Sequence, residues 1–174
     1  VVIGHGGHIA VASTKGQGTT FTLLLPRLDV VLPAQPEETA GWPKGSGRVL
    51  YVDDEEMLAR WGEQLLTQLG YTVFTKTNPH DAIALFRREA AQFDLVVTDQ
   101  TMPAMSGEAF ARALLAIRDD IPIILCTGFS HTMTAEKAAH LGLSAFLMKP
   151  VNAEALAHTV KRVLNARQPH ANNA

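Results

Sequence analysis

The chain has 174 residues, 47% of them hydrophobic and 18% charged, with a net charge of −2. That balance fits an ordinary globular protein of about one domain with something extra, and it removes the electrostatic case for nucleic-acid binding. A single cysteine, Cys126, excludes an intrachain disulfide and a cysteine-based zinc site, and no apolar run approaches the roughly 20 residues needed to span a bilayer.

The first residue is Val1 rather than methionine, and Val1-Val2-Ile3 is too short for a signal-peptide core. The chain therefore reads as a piece of a longer protein. Two short alternating runs, His8 to Ser13 and Thr19 to Leu25, flank Lys15-Gly16-Gln17-Gly18, and this predicts a β-hairpin within residues 1–27. Residues 28–46 hold Pro33, Pro36 and Pro43 with Gly41 and Gly45 and no sustained periodicity. They read as a linker, with Trp42 loosely packed rather than docked.

From residue 47 onward short β-rich runs alternate with helical patterns. Strands are predicted at Val49–Val52, Tyr71–Phe74, Leu95–Thr98, Ile121–Cys126 and Ala145–Met148; their continuous apolar character fits a parallel sheet covered on both faces. Met57, Leu58, Trp61, Leu65 and Leu69 fall at helical spacing ahead of a stop at Gly70. Asn78-Pro79 caps and opens a second helix through Ala82, Ile83 and Phe86. A third carries Phe110, Ala113, Leu114 and Ile117, a fourth spans Thr134 to Leu141, and a fifth starts near Asn152 and carries Leu156, Val160, Val163 and Leu164. Five strand–helix alternations make residues 47–166 a doubly wound α/β domain, with residues 167–174 as a disordered tail.

Ligands of an open parallel sheet bind at the carboxyl ends of its strands. There the sequence places Asp53-Asp54, Asp99, Thr127 and Lys149. A lone strand-end aspartate is often a capping residue, but five such groups at four strand ends form a set. Three converging carboxylates repel one another unless a cation joins them, and few carboxylates with retained waters suit magnesium. Metal and ammonium together would accept a phosphoryl group, and a carboxylate can be its nucleophile.

The stretches Arg48-Val-Leu-Tyr-Val-Asp-Asp-Glu55, Asp94-Leu-Val-Val-Thr-Asp-Gln-Thr-Met-Pro103, Ile123-Ile-Leu-Cys-Thr-Gly128 and Ala145-Phe-Leu-Met-Lys-Pro150 resemble the receiver domain of two-component signalling proteins. The resemblance implies a flavodoxin-like five-stranded parallel sheet in the order 2-1-3-4-5. It implies Asp99 as acceptor of a phosphoryl group from phosphohistidine. Asp53, Asp54, Asp99 and the backbone carbonyl of Thr101 would hold Mg2+, and Thr127 and Lys149 would read the phosphoryl group. Thr127 and Phe146 would form the switch, and Pro150 would follow a cis peptide bond. Gln100, Thr101 and Phe129 depart from the family pattern; Phe129 is a candidate shield against water.

Residues 1–27, with Gly4-His5-Gly6-Gly7-His8 and Gly16-Gln17-Gly18-Thr19-Thr20-Phe21, resemble the end of a histidine-kinase ATP-binding domain. The order of kinase remnant, linker and receiver resembles a hybrid sensor histidine kinase. That implies a cytoplasmic phosphorelay domain, membrane-attached only through segments outside this chain. Its partners would be a histidine-kinase phosphodonor domain and a histidine phosphotransfer protein. Two rival readings are a fragment retaining kinase activity and an unrelated doubly wound nucleotide-binding or phosphatase domain. Against the first, the chain lacks the ATP-binding segments; against the second, Asp54-Glu55-Glu56 stands where a dinucleotide fold needs glycines.

Overall fold

A computed structural model describes residues 2–27, 41–128 and 134–167, which fall into two compact units, one of residues 2–27 and one of the rest. The linker reading over 28–40, the Phe129 shield and the tail from Gln168 onward lie outside the described residues.

The first unit is the expected hairpin. Strands β1 (His8–Thr14) and β2 (Gly18–Leu24) pair antiparallel, with Val11 opposite Phe21 and Ile9 opposite Leu23. Both strands are exposed along their whole length.

The second unit holds five parallel strands: β3 (Arg48–Val52), β4 (Thr72–Lys76), β5 (Leu95–Asp99), β6 (Ile123–Thr127) and β7 (Ala145–Met148). Their spatial order is β4-β3-β5-β6-β7, which is the 2-1-3-4-5 arrangement expected. Five helices connect and cover them: α1 (Glu56–Gln68), α2 (Pro79–Glu89), α3 (Gly107–Leu115), α4 (Ala135–His140) and α5 (Ala153–Arg167). Every residue of β5 and β6 is buried, because helices cover both faces. On one face Val49, Tyr51, Val97 and Ile124 meet Leu65 and Leu66 of α1 and Leu156 and Val160 of α5. On the other, Leu50, Val96 and Leu125 meet Phe86 of α2, Phe110 of α3 and Ala138 of α4.

Several boundaries differ from expectation for identifiable reasons. Strand β4 starts at Thr72 because the Tyr71 amide is committed to closing α1. It donates to Leu66 O at 3.0 Å while Gly70 N donates to Thr67 O, with Gly70 at φ +98°. Strand β6 starts after Pro122, which has no amide to give the ladder. Met57 does not join the core face of α1; it is 83% exposed, while its neighbour Leu58 is half-buried. Trp42 is not loose: it is half-buried against the α1–α5 core, and Gly45 N donates to Leu69 O at 2.9 Å.

Side chains cap the remaining helices, at Asn78, Thr134 and Asn152 where starts were expected and also at Ser106. Asn78 Oδ1 accepts from His80 N, Ser106 Oγ from Ala109 N, Thr134 Oγ1 from Lys137 N and Asn152 Oδ1 from Ala155 N. None of the described helices is long and apolar enough to cross a membrane.

Candidate functional site

The carboxyl ends of β3, β5, β6 and β7 form one rim. Asp53 and Asp54 follow β3, Asp99 ends β5, Thr127 ends β6, and Lys149 and Pro150 follow β7. Carboxylate oxygens of Asp53, Asp54 and Asp99 lie within 4.8 Å of one another. Asp53 and Asp99 are buried, with side chains only 4% and 5% exposed. Lys149 Nζ stands 2.9 Å from Asp99 Oδ1 and 3.4 Å from Asp53 Oδ2. The Lys149 amide donates to Thr127 O at 2.8 Å, which fixes where the ammonium begins.

Backbone donors complete the acidic corner. Glu55 N donates to Asp53 Oδ1 at 3.0 Å and Thr101 N to Asp99 Oδ2 at 3.1 Å. Burial raises the Asp53 carboxyl above its ordinary value; the Glu55 amide and Lys149 pull it back, and the Asp99 charge pushes it further up. Burial pulls the Lys149 ammonium down, but its hydrogen bond to Asp99 and the charges of both aspartates outweigh that and hold it above its ordinary value. One ammonium thus faces three carboxylates, two of them desolvated. A hard dication with oxygen ligands fits that donor set, because it would relieve a repulsion the single lysine leaves.

The other residues singled out in the sequence take distinct places. Thr127 is 3% exposed on the face of β6 that also carries Leu125. Phe146 pairs with Leu125 across the ladder and is half-buried against the α2–α3–α4 core, on Thr127's side of the sheet. Thr101 is exposed in the loop after β5. The peptide bond between Lys149 and Pro150 is cis, as anticipated.

Sequence reasoning did not single out two features. A cavity of about 530 Å³ opens beside Asp53 and Lys149, lined by Tyr51, Leu58, Trp61 and Val151. Leu58 and Trp61 had read simply as core. Gln100 accepts from Glu108 N through its side-chain oxygen at 3.2 Å. Eight residues separate those partners, so only the path of the intervening loop reveals the pair.

Comparison with known proteins decides the family: the response regulator receiver domain matches residues 49–161. The chain belongs to that family. Among solved structures, this receiver is similar to a response regulator receiver domain protein from Clostridium thermocellum, with 27% identity and a TM-score of 0.66, covering 70% of this chain and 97% of that one. It is likewise similar to the chemotaxis protein CheY4 of Vibrio cholerae, with 29% identity and a TM-score of 0.62 over 68% and 99% of the two chains. Among curated proteins, it is 33% identical over 168 residues to the sensor kinase CckA of Brucella abortus, covering 91% of this chain and 18% of CckA. It is 34% identical over 121 residues to the transcriptional regulatory protein ZraR of Salmonella typhimurium, covering 70% of this chain and 27% of ZraR. The chain therefore spans a minor part of the curated relatives it matches.

Proposed function

We propose that this receiver takes a phosphoryl group from a phosphohistidine onto Asp99. A carboxylate oxygen of Asp99 attacks phosphorus, the phosphorus–nitrogen bond breaks, and the imidazole leaves with its electron pair. The observation that carries this is the convergence of Asp53, Asp54, Asp99 and Lys149 on one rim, with Asp53 and Asp99 buried.

Each residue has a task in that step. Lys149 pairs with the Asp99 carboxylate and would neutralise charge arriving with the phosphoryl oxygens. The Thr101 amide orients the Asp99 carboxylate. Asp53, Asp54, Asp99 and the Thr101 carbonyl would hold Mg2+, which when bound supplies positive charge to the phosphoryl oxygens. Thr127 would hydrogen-bond a phosphoryl oxygen. Its movement would open room for Phe146 to turn inward and so alter the surface of α4, β7 and α5 for a partner.

The similarity to a sensor kinase over 91% of this chain must include residues upstream of the receiver match, which supports a hybrid histidine-kinase context. In that context residues 1–27 are the end of an ATP-binding domain, and the receiver works on the cytoplasmic side. A kinase domain donates the phosphoryl group and a histidine phosphotransfer protein receives it. The chain itself would not autophosphorylate with ATP and Mg2+.

Acetyl phosphate with Mg2+, read by intact mass, tests the chemistry. Wild type should gain a phosphoryl group and Asp99→Asn should not. Equal labelling of the two, or none in wild type, would overturn the reading.

A further inference from the structure

The residue directly after the phosphoacceptor is a glutamine, and it links β6 to the start of α3. Gln100 N donates to Cys126 O at 2.8 Å, anchoring the residue to β6. Its carbonyl accepts from Gly107 N at 2.9 Å, and its side-chain Oε1 accepts from Glu108 N at 3.2 Å. The first amides of a helix have no partner within it. In α3 the first is taken by the Gln100 carbonyl, the second by the Gln100 side chain, and the third by Ser106 Oγ. One residue at the strand end thus supplies two of the three acceptors at the start of the next helix.

The loop 101–106 is closed by this clamp, and it begins with the amide that holds the acceptor: Thr101 N donates to Asp99 Oδ2. The junction is tight, since a Cβ on Gly107 would stand 2.3 Å from Asp99 O. Movement at the start of α3 therefore bears directly on Asp99 and Gln100. The Thr101 amide holds Asp99 Oδ2 while Lys149 holds Oδ1, so the loop that delivers this amide helps set the carboxylate's orientation.

We propose that Gln100 is a positioning residue for Asp99, its side-chain oxygen tying loop 101–106 to α3 so that the Thr101 amide stays on the acceptor carboxylate. The role rests on Asp99 being the acceptor. It acts through Thr101; Gln100 itself need not touch the phosphoryl group. Without Oε1 the Glu108 amide loses its acceptor and the loop opens more often.

The test replaces Gln100 with leucine, which keeps the bulk and deletes the acceptor, and with glutamate, which keeps an acceptor at the same reach. Amide hydrogen exchange is followed at Thr101 and Glu108, with Ile124 of the central strand β6 as internal reference. Acetyl-phosphate labelling is measured on the same proteins. In Gln100→Leu, exchange at Thr101 and Glu108 should rise about five-fold, the size of one net hydrogen bond, while Ile124 is unchanged, and labelling should slow. Gln100→Glu should restore protection at both amides. Gln100→Ala takes the place of the leucine variant if that does not fold. Unchanged exchange at Thr101, an equal rise at Ile124, or no rescue by glutamate would overturn the proposal. A wild type that takes no label would overturn the acceptor reading instead, and the exchange data would still judge the loop tie.

Discussion

Lys149 Nζ rests 2.9 Å from Asp99 Oδ1, so an ammonium delivered by the loop after β7 neutralises the carboxylate that ends β5. Nothing in either local sequence demands this. It follows from the strand order, which places β6 alone between them, and from the bond between Lys149 N and Thr127 O that starts the lysine at the rim.

The first prediction concerns that cation. Lys149→Met should slow acetyl-phosphate labelling of Asp99 by about 10²-fold, the size typical of losing one charge-stabilising donor. It should also lower the urea midpoint in EDTA, because Asp53 and Asp99 then face each other without a counter-charge, and Mg2+ should recover much of that loss. Stability that is equal in EDTA and in Mg2+ would refute the account of the repulsion.

The second prediction follows from Asp53. Its carboxyl is raised by burial, so the folded chain holds this proton more tightly than the unfolded chain. The contribution favours folding in acid and is lost as pH rises from the ordinary carboxylate value of about 3.9 through the raised folded value. Lys149 is also raised, so its contribution persists below about 10.4 and disappears only above that, as pH passes its folded value. In EDTA, Asp53→Asn should therefore gain stability relative to wild type as pH climbs from about 4 toward neutrality. Urea unfolding across that range measures the difference, and Mg2+ should shrink it. A difference that is flat or falls with pH would contradict the burial argument.

Much of this arrangement was legible because apolar strand runs end in chemistry: Val49 to Val52 runs into Asp53, Leu95 to Thr98 into Asp99, and Ala145 to Met148 into Lys149. Burial on both faces makes such runs continuous, and the doubly wound topology then brings their ends together. Periodicity was less decisive where two apolar residues are adjacent. Met57 and Leu58 both suit a helical stripe, yet Met57 is exposed and Leu58 only half-buried, on the wall of the cavity beside Asp53. Tyr71 looked like a strand residue from its side chain, but its amide was already spent on the end of α1. Trp42 lay in a proline- and glycine-rich stretch whose composition hides a contact with the α1–α5 core. The Gln100–Glu108 bond could not be read at all, since it depends on the path of a loop.

Cys126 gives the third prediction. It is 2% exposed, and burial together with the nearby Asp99 charge pushes its thiol up to about 12. Thiolate is the reactive form, so the folded protein should resist iodoacetamide at pH 8 and label only as it unfolds. Mass spectrometry against urea concentration checks this; the labelling curve should follow the unfolding curve. Rapid labelling without denaturant would show that β6 opens locally.

Two glycines separate damage to the fold from damage to the site. A Cβ on Gly62 would stand 2.5 Å from the ring of Tyr51, whereas one on Gly107 would stand 2.3 Å from the backbone oxygen of Asp99 and 2.6 Å from Leu125 Cδ1. Overpacking of this kind costs about 1–3 kcal/mol, and for Gly62→Ala a better helix propensity returns up to about 1 kcal/mol. Both alanine variants should therefore unfold at lower urea than wild type. Their chemistry should diverge. The Gly62 clash falls on a side chain below the rim, so Gly62→Ala should label at close to the wild-type rate while folded. The Gly107 clash falls on the Asp99 carbonyl and on the start of α3, so Gly107→Ala should label several-fold more slowly even under conditions where it is fully folded. Equal labelling of the two variants would mean that the start of α3 does not set the position of Asp99.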